Sequence, residues 1–194
     1  MQKKRYTGFI IGGIVLILVI YIVTVYNSLV KKDEKVTQQW SEVQNTYQRR
    51  LDLIPNIVNV VKGVSGFEAE TLEQIAAARA RAGSAAAADP TPDNFKKQGD
   101  LQDSLAAATN RLIMVIEKYP ELRGTGAYSG LQVQLEGTER RIKYARTDFN
   151  AAVADYNKSV RSFPSNLAAG LLGFRAREGF EAEIGSDKAV EIKF

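Results

Sequence analysis

From Gly8 to Tyr26 the chain reads GFIIGGIVLILVIYIVTVY, 19 residues without a charge. As a helix rising 1.5 Å per residue this run reaches about 28 Å, the thickness of a bilayer's hydrocarbon layer. A cleaved signal peptide has a shorter apolar core, about 7–15 residues, ending in a small-residue cleavage site. Here the run leads into Tyr26-Asn27-Ser28-Leu29, so an uncleaved, single-pass anchor is expected. Tyr6, Phe9, Tyr21 and Tyr26 lie near its ends, where aromatic belts form. Gly8 and Gly12 make one G-x-x-x-G, a candidate pairing face between membrane helices; ordinary glycines in a membrane helix read the same way.

Lys3, Lys4 and Arg5 precede the run and favour a cytoplasmic N-terminus. Lys31, Lys32 and Lys35 on the far side nearly cancel them. Long domains cross the membrane largely regardless of charge, so the expected orientation is N-in, with the body outside the cytoplasm.

Composition removes most catalytic readings. The 194 residues include no Cys and no His. That excludes thiolate nucleophiles, disulfides and cysteine-bound zinc or iron–sulfur sites. It also removes the usual general base and the usual transition-metal ligand. Glu70/Glu73 and Glu136/Glu139 are E-x-x-E spacings without the Glu-x-x-His of di-metal bundles, and read as solvated helix faces. Neither a nucleophile elbow nor a phosphate-binding glycine loop occurs. No enzyme activity, cofactor, metal or small-molecule substrate is expected. Without the N-terminal basic triplet the chain holds 23 basic against 22 acidic residues, so nucleic-acid binding is not expected either.

Beyond the anchor the apolar spacing is helical. Val36, Trp40, Val43, Tyr47, Leu51, Ile54, Val58 and Val61 follow steps of three and four, predicting one helix from about 27 to 62 with Pro55 inside it. Proline there crowds the carbonyl of Leu51, predicting a kink. A second helix is predicted over about 67–82, with Phe67, Thr71, Leu72, Ile75 and Arg79 at helical spacing. A loop follows over 83–94. A third helix carries Leu101, Leu105, Ala108, Leu112, Val115 and Tyr119. A fourth carries Leu131, Leu135, Thr138, Ile142, Ala145, Phe149, Val153, Tyr156, Val160 and Phe163. No stretch alternates with period two for long.

The expected fold is all-α: an N-terminal transmembrane helix continuing into an antiparallel up-down four-helix bundle with two long and two shorter helices. The expected organisation is a basic tail (1–7), the membrane helix (8–26), the bundle (27–163) and a C-terminal tail (164–194) with a short apolar helix. Aligning the stutters near residues 50 and 149 sets Val36 opposite Phe163 and Asp52 level with Asp148.

Several segments together resemble the LemA family of bacterial membrane-anchored proteins. They are Tyr26-Asn27-Ser28-Leu29-Val30, Arg49 through Val58 with Val61-Lys62-Gly63, and Ala78-Arg79-Ala80. Glu117 through Leu122, Leu135 through Glu139 and Tyr156-Asn157 follow, then Phe163-Pro164-Ser165-Asn166 leading to Gly173-Phe174. The resemblance implies a helical bundle behind one helix in the bacterial inner membrane and implies no established enzymatic activity. The chain departs from it at Gly124 through Tyr128.

The candidate interaction or structural residues are Arg49, Arg50, Asp52, Pro55 and Asn56, followed by Leu167, Leu171, Leu172 and Phe174. Arg49, Arg50 and Asp52 read either as a partner or headgroup site or as an ion-pair cluster between helices in which Arg49 or Arg50 reaches Asp148, the second being favoured because a partly buried Arg needs carboxylates. In the segment PSNLAAGLLGF, Ser165 is expected to N-cap a short helix and Gly173 to end it. Its leucines are expected to contact protein, in the same chain or in an oligomer, rather than lipid. The expected function is a non-enzymatic scaffold or adaptor that presents the bundle to other membrane or envelope proteins. The second reading is a self-assembling, membrane-shaping or lipid-contacting protein.

Overall fold

The computed structural model describes residues 3–62, 69–85, 92–119 and 125–180. They hold five helices and no strand: α1 (Lys3–Lys62), α2 (Ala69–Ser84), α3 (Pro92–Ile116), α4 (Gly126–Arg161) and α5 (Ser165–Leu172). The chain divides into two compact units. One comprises Met1–Ser41 with Asp148–Glu178, the other Glu42–Thr147 with Gly179–Phe194.

In the first unit α1 and α4 run antiparallel. Trp40 packs on Phe149 with ring centroids 5.6 Å apart, and Lys32 Nζ donates to Asp155 Oδ1 at 2.9 Å. Leu29 and Val36 from α1 and Val153, Tyr156 and Val160 from α4 are buried with them. The apolar run at the start of α1 stays uncovered, with Phe9, Ile14, Ile17 and Val19 all exposed. Among the described helices, α1 is the one long and apolar enough to cross a membrane. Exposed to water, such a surface is strongly unfavourable; in acyl chains it is at home.

In the second unit one core draws on four helices. Leu51, Ile54, Ile57 and Val61 of α1 meet Ile75, Ala78 and Ala82 of α2, Leu105, Leu112 and Ile116 of α3, and Tyr128 and Leu135 of α4. The helices of this unit have legible ends. Pro92 opens α3, where a missing N–H goes unnoticed. Thr125 Oγ1 accepts from Tyr128 N–H at 3.3 Å, capping the first turn of α4. Beyond α3, Lys118 N and Tyr119 N bond three residues back, tightening its last turn.

The expected seam of α4 is buried from Leu135 through Val160, and that of α1 at Val36, Trp40, Val43, Tyr47, Leu51, Ile54 and Val61. Four expectations are corrected. Phe163 is 80% exposed, because α4 ends at Arg161 and Phe163 lies beyond its seam. Gly83 and Ser84 belong to α2 and Pro92 to Asn94 to α3, so the loop is shorter than 83–94. On α3 the fully buried line is Gln98, Gln102, Leu105, Thr109, Leu112 and Ile116, whereas Leu101, Ala108 and Tyr119 are half-buried. The register also differs. In the first unit Trp40 faces Phe149, and in the second Arg50 faces Glu139, so the two stutters do not share a level. Ring packing and one ion pair, not matched pitch, decide which residues meet. Phe67, expected in the second helix, lies outside the described residues.

Candidate functional site

Arg50 shares the inward face of α1 with Val43, Tyr47 and Ile54, and it is 2% exposed. A buried guanidinium must be matched by acceptors. Its Nη1 donates to the Gln102 carbonyl oxygen at 2.9 Å and to Gln102 Oε1 at 3.2 Å. Its Nη2 forms a short ion pair with Glu139 Oε2. Arg50 Nε, Gln98 Nε2 and Gln102 Nε2 are buried with no acceptor among the described residues. One side chain thereby ties α1 to both α3 and α4.

Pro55 lies within α1, which continues through it to Lys62. Proline has no N–H for the carbonyl four residues back. That carbonyl, on Leu51, instead accepts a hydrogen bond from Arg79 Nε at 3.0 Å. The helix defect is used as a docking point for α2.

In the same unit Arg146 Nε donates to Tyr47 Oη at 2.8 Å, and its Nη2 pairs with Asp103 Oδ1 at 2.7 Å. The guanidinium carbon lies 5.5 Å from the Tyr47 ring centroid and 5.1 Å from that of Phe180. A Cβ on Gly99 would stand 3.3 Å from Phe180 Cε1, so this glycine leaves room for the ring. Burial pushes the Tyr47 hydroxyl above its ordinary pKa despite the nearby Arg146. Burial works against the Arg146 charge, yet Tyr47 and Asp103 outweigh it and raise its pKa.

In the first unit the segment after α5 is fastened by polar pairs. Asn157 Nδ2 donates to the Arg177 carbonyl at 2.7 Å, and Arg177 N–H donates to Asn157 Oδ1 at 2.8 Å. Arg177 Nη2 also pairs with Asp33 at 2.9 Å and lies over the Tyr156 ring. Burial, and then Asp33, push the Tyr156 hydroxyl above its ordinary pKa. Gly173 ends α5 in the left-handed region with φ 81°, and Phe174 N–H returns to the Ala169 carbonyl at 3.0 Å. Phe174 then meets Tyr26 edge-on at 5.8 Å. Ser165 is not the N-cap: Pro164 holds that place without a side-chain bond. The Ser165 hydroxyl is taken by the end of α4, lying 2.6 Å from the Ser159 carbonyl and 2.8 Å from that of Ser162. Beside this region Lys31, Lys32 and Lys35 line an open cleft of about 700 Å³.

The five expected residues around Pro55 therefore part company. Arg50 is buried in its clamp and Pro55 is half-buried above the Arg79 contact, but Arg49, Asp52 and Asn56 are exposed. Asp52 accepts from Gln48 on its own helix at 2.8 Å, and the carboxylate that meets Arg50 is Glu139 rather than Asp148. Leu167, Leu171 and Leu172 are exposed, and Phe174 is half-buried. Gly8 and Gly12 face open space. The sequence reading passed over Gln98, Gln102, Asp103 and Arg146. The available signal was the polar pair Gln98/Gln102, in step with Leu105, Thr109 and Leu112.

These features define a class: an all-α protein with one apolar N-terminal helix that places it at a membrane. Within that class the chain belongs to the LemA family, whose model matches residues 39–194. It is similar to magnetosome proteins MamQ 2 and MamQ 1 of Paramagnetospirillum magneticum, each 26% identical over 198 residues, covering 91% of this chain and 73% of theirs. MamQ of Magnetospirillum gryphiswaldense is 25% identical over the same spans.

Proposed function

We propose that this protein is a membrane-anchored, non-enzymatic scaffold whose α1–α4 pack as an up-down antiparallel bundle and offer a surface to other membrane or envelope proteins. The observation that carries the reading is how the buried polar groups are spent. Arg50, Arg79 and Arg146 each bind a neighbouring helix, which makes a rigid body and commits these charges to internal contacts. Outside that interior, Val133 and Tyr144 of α4 stand 68% and 67% exposed, apolar positions suited to a partner. The proposed orientation has the N-terminus in the cytoplasm of a bacterial cell and the body outside it.

Photo-cross-linking from positions 133 and 144 of the full-length protein in native membranes tests this. The expected result is one discrete protein adduct, lost with Val133→Asp and Tyr144→Asp while helicity is unchanged. Adducts with lipid or with the chain itself alone would contradict the scaffold. They would favour the second reading, a lipid-contacting protein that self-assembles on membranes, which the exposed leucines of α5 support.

A further inference from the structure

α5 is inverted relative to a helix that merely fills a core. It meets its unit through Ala168 and Ala169, 6% and 1% exposed, while Leu167 and Leu171 stand 61% and 85% exposed. Positions 167 and 171 are four apart and share one face. Phe163, just ahead of the helix, is equally uncovered. Burying a leucine stabilises a fold more than burying an alanine, so turning alanines inward and leucines outward makes sense only if something apolar lies outside.

Location identifies it. Phe174, immediately after the Gly173 turn, rests on Tyr26, the last residue of the apolar segment 8–26 in α1. The Phe174–Tyr26 contact thus holds the C-terminal end of α5 near the exposed apolar surface of α1 at Tyr21, Val23 and Tyr26. Arg161 before α5 and Arg175 after it are both exposed, flanking the apolar face with positive charge.

We propose that α5 and Phe163 form a second membrane contact. The helix lies in the bilayer interface beside the exit of α1, with Leu167 and Leu171 among the acyl chains and Arg161 and Arg175 at the level of lipid phosphates. Two attachment points restrict rotation of the first unit about α1. This rests on residues 8–26 crossing the bilayer, and it sharpens the lipid-contact reading.

The chain has no cysteine, so Leu171→Cys, Ile17→Cys and Ala154→Cys each create one labelling position in the full-length protein. Each variant, carrying an environment-sensitive fluorophore, is reconstituted in phosphatidylcholine–phosphatidylglycerol vesicles. The label at 171 should shift to the blue and lose intensity to nitroxides placed shallow on the acyl chain. The label at 17 should be quenched by deep nitroxides, and the one at 154 by neither. A water-like spectrum at 171 beside a quenched 17 would overturn the contact and leave the anchor standing. Quenching at 171 only by a nitroxide on a second copy of the chain would make it a self-contact and overturn the lipid assignment. An unquenched 17 would overturn the anchor and the inference together.

Discussion

Arg79 Nε donates to the carbonyl of Leu51 at 3.0 Å, the very carbonyl that Pro55 leaves without a helical partner. The proline and the arginine therefore act as a pair. Arg79→Leu should destabilise the protein by about 1–2 kcal/mol, the loss of a charged hydrogen bond at a partly open site. In a Pro55→Ala background the helix regains its own N–H, so Arg79→Leu should cost clearly less. A double-mutant cycle by chemical denaturation reads the difference, and strict additivity would show that the two residues are not coupled.

Arg50 and Glu139 make a contrasting case, because only one partner is deeply buried. Glu139→Ala leaves the Arg50 charge inside without its carboxylate. A loss of about 2 kcal/mol is expected, below the ~3–5 kcal/mol of a fully buried pair because the carboxylate side is half open to solvent. Arg50→Met removes the charge itself and should cost less. Melting temperatures ranked the other way would show that losing the Arg50 bonds to Gln102 outweighs stranding its charge.

How much of this was legible from the sequence depended on chemistry. The seams of α1 and α4 could be read because their buried positions are mostly apolar, and apolar spacing reports which face turns inward. On α3 the same rule chose Leu101 and Ala108 over Gln102 and Thr109. It failed there because Gln102 is buried to serve Arg50, a residue distant in sequence. Arg49, Arg50 and Asp52 read together as a charge cluster at the seam, but whether Asp148 or Glu139 meets Arg50 depends on helix register, which local periodicity does not contain. Leu171 is exposed in the single chain, and an apolar residue signals burial without saying whether protein or lipid buries it.

Alkaline pH should weaken the fold. Burial holds Tyr47 and Tyr156 above the ordinary tyrosine value of 10.0. Each therefore keeps its proton longer in the folded chain than in the unfolded one. Their contribution is intact below that value and is lost as pH rises from it through the folded pKa. Thermal melts in detergent across this range should fall more steeply for the parent than for the Tyr47→Phe, Tyr156→Phe double variant. Parallel curves would contradict the assignment.

Membrane retention of the full chain tests the anchor most directly. After washing with high salt and then alkaline carbonate, the protein should remain in the membrane pellet. Ile14→Lys with Ile17→Lys, two charges placed inside the run, should release it or prevent insertion. Release of the unmodified chain by either wash would mean that α1 does not span the bilayer, and the membrane-anchored reading would fail.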